Sequence, residues 1–242
     1  MNKQEVLEKI KNNIIISVQA QSDEPLYDEN CMLAMMKSVI NGGAKGLRVA
    51  NVRDVKNAKE NFDVPIIGIT KPHIIPKNYK ELVYITPTVK DCVDLIDSGA
   101  DIVAFDATVR KKETNENNSS IDEIITTIKN ANKLAMADIA TFEEAQMAYE
   151  KGVDIISTTL SGYTVETENI SPKDKPDFEL LQKITSNLNV PVILEGKIWE
   201  PNDVKKAFEL QAFSVVIGSS VTRPQLIVKR FIDMGLKRWK KR

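Results

Sequence analysis

Histidine and cysteine are nearly absent from this chain: one His, His73, and two Cys, Cys31 and Cys92, in 242 residues. A zinc site or a Ser-His-Asp triad needs more imidazole or thiolate than that, so neither is expected. No Walker loop and no Gly-x-Gly-x-x-Gly follows a strand-like run, which removes the usual cradles for nucleotides. No apolar stretch approaches the roughly 20 residues of a membrane helix. Residues 2–12 are too polar to form the core of a signal peptide. The formal net charge is −1, which leaves no global field for nucleic acid or a membrane. The expectation is a soluble cytoplasmic protein without metal, cofactor, nucleic-acid or membrane partners. Both cysteines lie in helix-like stretches and are expected as buried free thiols of a reducing compartment. The basic end, from Lys229 and Arg230 to Arg242, reads as a last helix with cations toward its negative dipole end and a solvated tail.

What is present is a repeating alternation. Short apolar runs stand at Ile14–Val18, Leu47–Ala50, Ile66–Thr70, Ile102–Asp106, Leu134–Asp138, Ile155–Thr159, Val192–Glu195 and Ser214–Gly218. Near-continuous apolar runs are what strands look like when both faces are buried. Each is followed by a stretch of helical spacing, among them Met32–Ile40, Val89–Ile96, Phe142–Tyr149, Phe178–Ile184 and Val204–Leu210. Asn51, Thr88, Thr141 and Thr222 sit where N-caps belong, and Thr141 with Glu144 forms a capping box. Pro201 and Pro224 stand early in helices, where a missing N–H is harmless. Gly42-Gly43, Gly99 and Gly152 read as helix stops. Eight βα repeats in 242 residues predict a single α/β domain over residues 1–242, a (β/α)8 TIM barrel. Residues 110–120 and 166–175 read as surface loops, and Pro72–Pro87 as a long loop excursion or lid.

In such a barrel the carboxyl ends of the strands form one face, and that face carries the chemistry. Lys71 follows the third strand and Glu195 ends the seventh. A lysine there can be a general base or a Schiff-base nucleophile. A carboxylate there is either an acid/base or a buried partner for a cation such as Arg48. Gly218-Ser219 before a helix start, with Arg223 beyond and Gly196 after strand seven, suits a phosphate. Gln19, Arg48 and Asp138 complete a polar ring, with Asp106 a weaker member. His73 reads as a plain loop residue. Tyr163 either closes over a substrate or packs its own loop.

Several segments together resemble the N-acetylmannosamine-6-phosphate 2-epimerase family. They are Ser17-Val18-Gln19-Ala20, Asp23-Glu24-Pro25-Leu26, Gly46-Leu47-Arg48, residues 65–71, residues 84–88, Phe105-Asp106-Ala107-Thr108, residues 136–140, Ser157 to Thr164, Glu195-Gly196 and Thr222-Arg223-Pro224. They span nearly the whole chain in order. The resemblance implies a cofactor-free barrel enzyme of amino-sugar catabolism. Its substrate would be a phosphorylated N-acetylated amino sugar, and a homodimer would be plausible. It implies Lys71 and Glu195 as acid/base residues. Gln19, Arg48 and Asp138 would orient sugar and base, with Asp138 toward Lys71 and Arg48 toward the developing oxyanion. Gly196, Gly218, Ser219 and Arg223 would hold the phosphate. Two positions depart from the family pattern: Ser219 stands where a second glycine is usual, and Pro72 where an arginine is. The residues alone leave open a Schiff-base sugar-phosphate aldolase using Lys71, a non-catalytic sugar-phosphate-binding barrel, and another phosphate-binding barrel isomerase.

Overall fold

The computed structural model describes residues 1–110 and 118–236. Residues 111–117 of the expected loop, and the basic tail from Lys237 onward, lie outside the described residues. Eight parallel strands close in chain order into one barrel. They are β1 Ile14–Val18, β2 Gly46–Ala50, β3 Ile66–Ile69, β4 Ile102–Asp106, β5 Leu134–Asp138, β6 Ile155–Ser157, β7 Val192–Glu195 and β8 Ser214–Ile217. The helices are α1 Lys3–Ile10, α2 Glu29–Asn41, α3 Asn51–Asn61, α4 Val89–Asp97, α5 Ile121–Asn130, α6 Phe142–Glu150, α7 Phe178–Asn187, α8 Pro201–Glu209, α9 Ser219–Thr222 and α10 Pro224–Phe231. No helix among the described residues is long and apolar enough to cross a membrane.

The two-residue period of a strand sorts each run into two layers. Along β5, Ala135 and Ala137 join the layer that packs against helices. Leu134 and Met136 join the barrel interior, with Ile15, Ile67, Ile102, Ile155, Ile193 and Val216. Asp138 has the same parity as Leu134 and Met136, so the alternation carries it inward at the carboxyl end. Arg48, Asp106, Ser157 and Glu195 follow the same rule on their strands. At the opposite end α1 is a floor. Val6 and Ile10 are buried among the interior residues, and an Asn2–Glu5 capping box starts the helix.

Thr88 and Thr141 cap α4 and α6 with capping boxes, and Pro201 and Pro224 occupy first turns. Two expected caps differ. Asn51 is already inside α3 and has a φ of 71°; its side chain turns to the neighbouring loop instead. Thr222 ends the short α9, and its hydroxyl donates to Ser17 O at 2.8 Å. Cys92 is buried but Cys31 is exposed, because it lies on the outer side of the first turn of α2, whose buried residues are Met32 and Met36.

The loop from Pro72 to Pro87 does more than leave the barrel and return. Strands β3 and β4 pair only through Ile67↔Ile102 and Gly68↔Val103. Beyond that point Ile85 and Thr86, both buried, wedge between them. Asp106 N donates to Ile85 O at 3.1 Å, Thr86 N to Thr70 O at 3.2 Å, and Thr70 N to Thr86 Oγ1 at 3.1 Å. Ile85 and Thr86 belong to no strand, yet they take over strand hydrogen bonds. Thr86 has a φ of 46°, a rare state for a β-branched residue. Such strain costs on the order of 1–3 kcal/mol and persists where the surroundings over-determine it.

Candidate active site

Lys71 leaves the end of β3 held at three points. The preceding Thr70 is fixed by the Thr86 wedge, and its hydroxyl donates to Asp91 Oδ1 at 2.9 Å. Lys71 N donates to Asn51 Oδ1 at 3.2 Å. Lys71 Nζ donates to Gln19 Oε1 at 2.8 Å, and Gln19 in turn donates from Nε2 to Ser17 Oγ at 2.8 Å. The lysine's partner is thus a neutral amide. Burial and then the Arg48 charge bring its pKa down to about 8, against the opposing pull of Glu195 and Asp138.

Glu195 sits within a buried charge cluster. Arg48 forms a bidentate pair with Asp138, NH2 to Oδ2 at 2.6 Å and NH1 to Oδ1 at 3.1 Å. The same NH1 lies 3.1 Å from Glu195 Oε2. The Thr159 hydroxyl stands 2.7 Å from Asp138 Oδ1 and 3.2 Å from Glu195 Oε2. Burial drives the Glu195 pKa up to about 7; Asp138 pushes the same way, while Arg48, Lys71 and Thr159 oppose. A carboxyl and an amine with ordinary values far apart are brought to within about one unit of each other, the condition for acid and base work near neutral pH.

A cavity of about 450 Å³ opens over this pair. Of the residues expected from the sequence, Gln19, Lys71, Glu195, Gly196, Gly218, Ser219 and Arg223 line it. Arg48 and Asp138 do not line the cavity; they stand behind Glu195. Their hydrogen bonds go to each other, to Glu195 and to Thr159, so Gln19 rather than Asp138 meets the Lys71 ammonium. Arg48 has both terminal nitrogens engaged, while its buried Nε has no partner among the described residues. This arrangement places the Arg48 and Asp138 charges against Glu195 and leaves Lys71 and Glu195 facing the cavity. Asp106 is taken up by Arg110 in a buried ion pair, and Arg110 also holds Tyr79 O at 2.8 Å. His73 is an exposed loop residue whose carbonyl accepts from Ser22 Oγ.

The other end of the cavity is lined by Gly196, Gly218, Ser219 and Arg223. Gly196, with a φ of 106°, requires glycine. Gly218 leads into α9, and the N–H groups of Ser219 and Ser220 have no partner among the described residues. Arg223 pairs through NH2 with Glu24, and its Nε is buried and unpartnered. Thr159, Lys197 and Glu24 were not singled out in the sequence. Thr159 carried a signal, an inward-parity hydroxyl one register beyond Ser157. Glu24 lay within the Asp23-Glu24-Pro25-Leu26 segment of the family resemblance without a role assigned to it, and Lys197 carried no signal, being a charged residue in a loop. No group of three or more His, Cys, Asp or Glu among the described residues could hold a metal ion.

This geometry has close counterparts. The family model described as "Putative N-acetylmannosamine-6-phosphate epimerase" matches residues 32–236. Under the corresponding 2-epimerase name, a relative from Clostridioides difficile (strain 630) is 42% identical over 228 residues, covering 94% of this chain and 97% of its own. One from Listeria monocytogenes EGD-e is 41% identical and covers 94% of each. The solved structure of the N-acetylmannosamine-6-phosphate 2-epimerase from Clostridium perfringens superposes with a TM-score of 0.86 at 41% identity, covering 94% of this chain and 95% of that one. A thiamine phosphate pyrophosphorylase from Pyrococcus furiosus, TM-score 0.58 at 16% identity, shares the fold alone. With the barrel and matches along nearly its whole length, the chain belongs to the N-acetylmannosamine-6-phosphate epimerase family.

Proposed function

We propose that the chain interconverts N-acetylmannosamine 6-phosphate and N-acetylglucosamine 6-phosphate by moving the proton on C2. The observation that carries this reading is one cavity lined by a lysine lowered to about 8 and a carboxyl raised to about 7. Epimerisation at C2 needs the sugar as its open aldehyde, since only then is the C2 proton acidic. One member of the Lys71–Glu195 pair takes that proton, and the C–H electrons move into the carbonyl to give an enolate that keeps the acetamido group on C2. The other member returns a proton to the opposite face, and the electrons fall back to restore the aldehyde. Each group must change protonation once per turnover, which suits values near the working pH. Arg48 and Asp138 support this from behind: Arg48 holds Glu195 and lowers Lys71, and Asp138 neutralises Arg48 and raises Glu195. Gly196, Gly218, Ser219 and Arg223 form the phosphate cup, where remote binding energy positions the reacting carbon.

Proton NMR with N-acetylmannosamine 6-phosphate in D₂O tests the reading. Appearance of N-acetylglucosamine 6-phosphate carrying deuterium at C2 is expected. Conversion without deuterium at C2 would refute proton transfer through the pair. A borohydride-trapped adduct on Lys71 would move the chain to Schiff-base chemistry.

We further propose a homodimer. Its support is α10 and the turn after it, which bury no residue while Val228, Phe231, Ile232, Met234 and Leu236 stand exposed. Light scattering at the mass of a single chain would remove it.

A further inference from the structure

The segment Ser161-Gly162-Tyr163-Thr164 lies over the cavity with no part in the chemistry above. Its anchor is a lysine from another loop. Lys197 follows Gly196 at the end of β7 and adopts a φ of 58°, an uncommon state outside glycine. Its Nζ donates to Ser161 O at 3.1 Å and to Pro172 O at 2.7 Å, and lies 5.1 Å from the Tyr163 ring centroid. One ammonium therefore joins the loop after β7 to both ends of the loop after β6. The seat for that ammonium is Gly162. A Cβ on Gly162 would fall 2.2 Å from Lys197 Nζ and would sit on a backbone at φ 80°, so a side chain there would strain the turn and push the ammonium from its place.

The partners of this cation are all neutral. Among the described residues no carboxylate comes within ion-pair distance of Lys197; its neighbours are two carbonyls and a ring. Arg223, by contrast, is met by Glu24. Burial holds the Lys197 pKa below its ordinary value, with Asp177 and Asp174 opposing at longer range. A charged group placed among neutral acceptors keeps its field for whatever enters beside it. What lies beside it is the anion end of the cavity: Lys197 lines that cavity together with Gly196, Tyr163 and Arg223. The loop it holds is also pinned where it leaves the barrel, by Leu160 N to Ile139 O and by the Thr158 and Thr159 hydroxyls against Glu195, and across its own base by Ser161 Oγ to Asp177 Oδ2. Its outer part is held by Val165 N to Lys80 O and by the Lys80–Glu168 ion pair, and Lys197 adds the tie to the segment after Gly196.

We propose that Lys197, seated against Gly162, is a positioning residue of the reaction that clasps the loop after β6 onto the phosphate cup and holds Tyr163 as the cavity wall. This rests on the reading given under Proposed function for the identity of the substrate, but not for the clasp itself. Binding the anionic end and fixing the wall over the sugar then become one event.

The test uses the full chain with Lys197→Met, which keeps the length and loses the donors, and Gly162→Ala, which keeps every charge and removes the seat. Three quantities are read: KM and kcat for the sugar phosphate, inhibition by inorganic phosphate, and the rate of protease cleavage between residues 161 and 176. Both variants are expected to raise KM and the phosphate inhibition constant by roughly tenfold to a hundredfold, the range for losing hydrogen bonds to a charged group, with kcat changed much less. Phosphate should protect the loop in the wild type and fail to protect it in either variant. Lys197→Arg should restore part of the protection. Values for Lys197→Met within about twofold of the wild type, with the same protection, would overturn the proposal. A Gly162→Ala chain that behaves as wild type while Lys197→Met does not would reduce Lys197 to a charge and overturn the clasp. A wild type with no turnover would refute the epimerase reading and leave the clasp to the cleavage rates: faster cleavage of Lys197→Met without ligand supports it, equal cleavage overturns it.

Discussion

Replacing Glu195 by glutamine should abolish turnover and yet make the protein more stable in mild alkali. The folded chain holds the Glu195 proton up to about pH 7, against an ordinary value of 4.5. Between those two values the folded chain binds a proton that the unfolded chain has already lost. Stability therefore falls as pH rises through that window, and the loss is complete above about 7. At about 1.4 kcal/mol per pH unit the gap amounts to about 3 kcal/mol. A glutamine has no charge to desolvate, so the variant escapes this loss. It also leaves no buried ion alone, because Arg48 keeps its bidentate pair with Asp138. Glu195 supports the charged form of Lys71, and that support disappears with it, so about 3 kcal/mol is an upper bound. Thermal or urea unfolding of both proteins at about pH 5 and about pH 8.5 measures the difference. For a chain of this size the relative gain would reach about 6–12 °C in Tm at the higher pH. A Glu195→Gln variant that gains nothing over wild type between the two pH values would refute the argument that burial, rather than catalysis alone, sets this carboxyl.

The pH dependence of kcat/KM should be a bell centred between about 7 and about 8, its acid limb from protonating Glu195 and its basic limb from deprotonating Lys71. A profile flat from about pH 6 to about pH 9 would contradict the pairing. Asp138→Asn should cost about 3–5 kcal/mol by breaking a buried bidentate pair, measured by denaturant unfolding. In the same variant the acid limb should move to lower pH, because Asp138 is one of the groups that raise Glu195. Arg223→Ala should raise KM about tenfold or more with kcat nearly unchanged; an unchanged KM in steady-state assays would remove Arg223 from the cup.

The barrel was legible because its signal is repeated eight times, each strand run bounded by a cap, a proline or a glycine. The ends were less so. β6 was expected to run to Thr159 but stops at Ser157, because the Thr158 hydroxyl bonds the β7 backbone, donating to Glu195 O and accepting from Glu195 N. The floor helix α1 went unread, since only Val6 and Ile10 among its eight residues are buried, too few for a periodic signal, although the Asn2–Glu5 box was there. In the site, strand parity brought Arg48, Asp138 and Glu195 to one face, but parity says nothing about depth. It could not show that Arg48 and Asp138 stand behind the cavity wall. Asn51 and Lys197 act through left-handed backbone, and a loop residue's φ is set by its tertiary neighbours.

The floor made by α1 has a kinetic consequence. With Val6 and Ile10 buried across the far end, the cavity that would admit substrate is also where Lys71 and Glu195 meet solvent. In the proposed two-group mechanism each turnover leaves the proton moved from one member to the other, so the free enzyme would exist in two isomeric forms, one competent for each epimer. Resetting between them needs solvent, and a bound sugar blocks the way. At high concentrations of both epimers the enzyme should therefore exchange them faster than it resets. Label added to one epimer would then be driven transiently away from equilibrium by a flux of the other, a tracer perturbation that an enzyme with freely exchanging protons does not give.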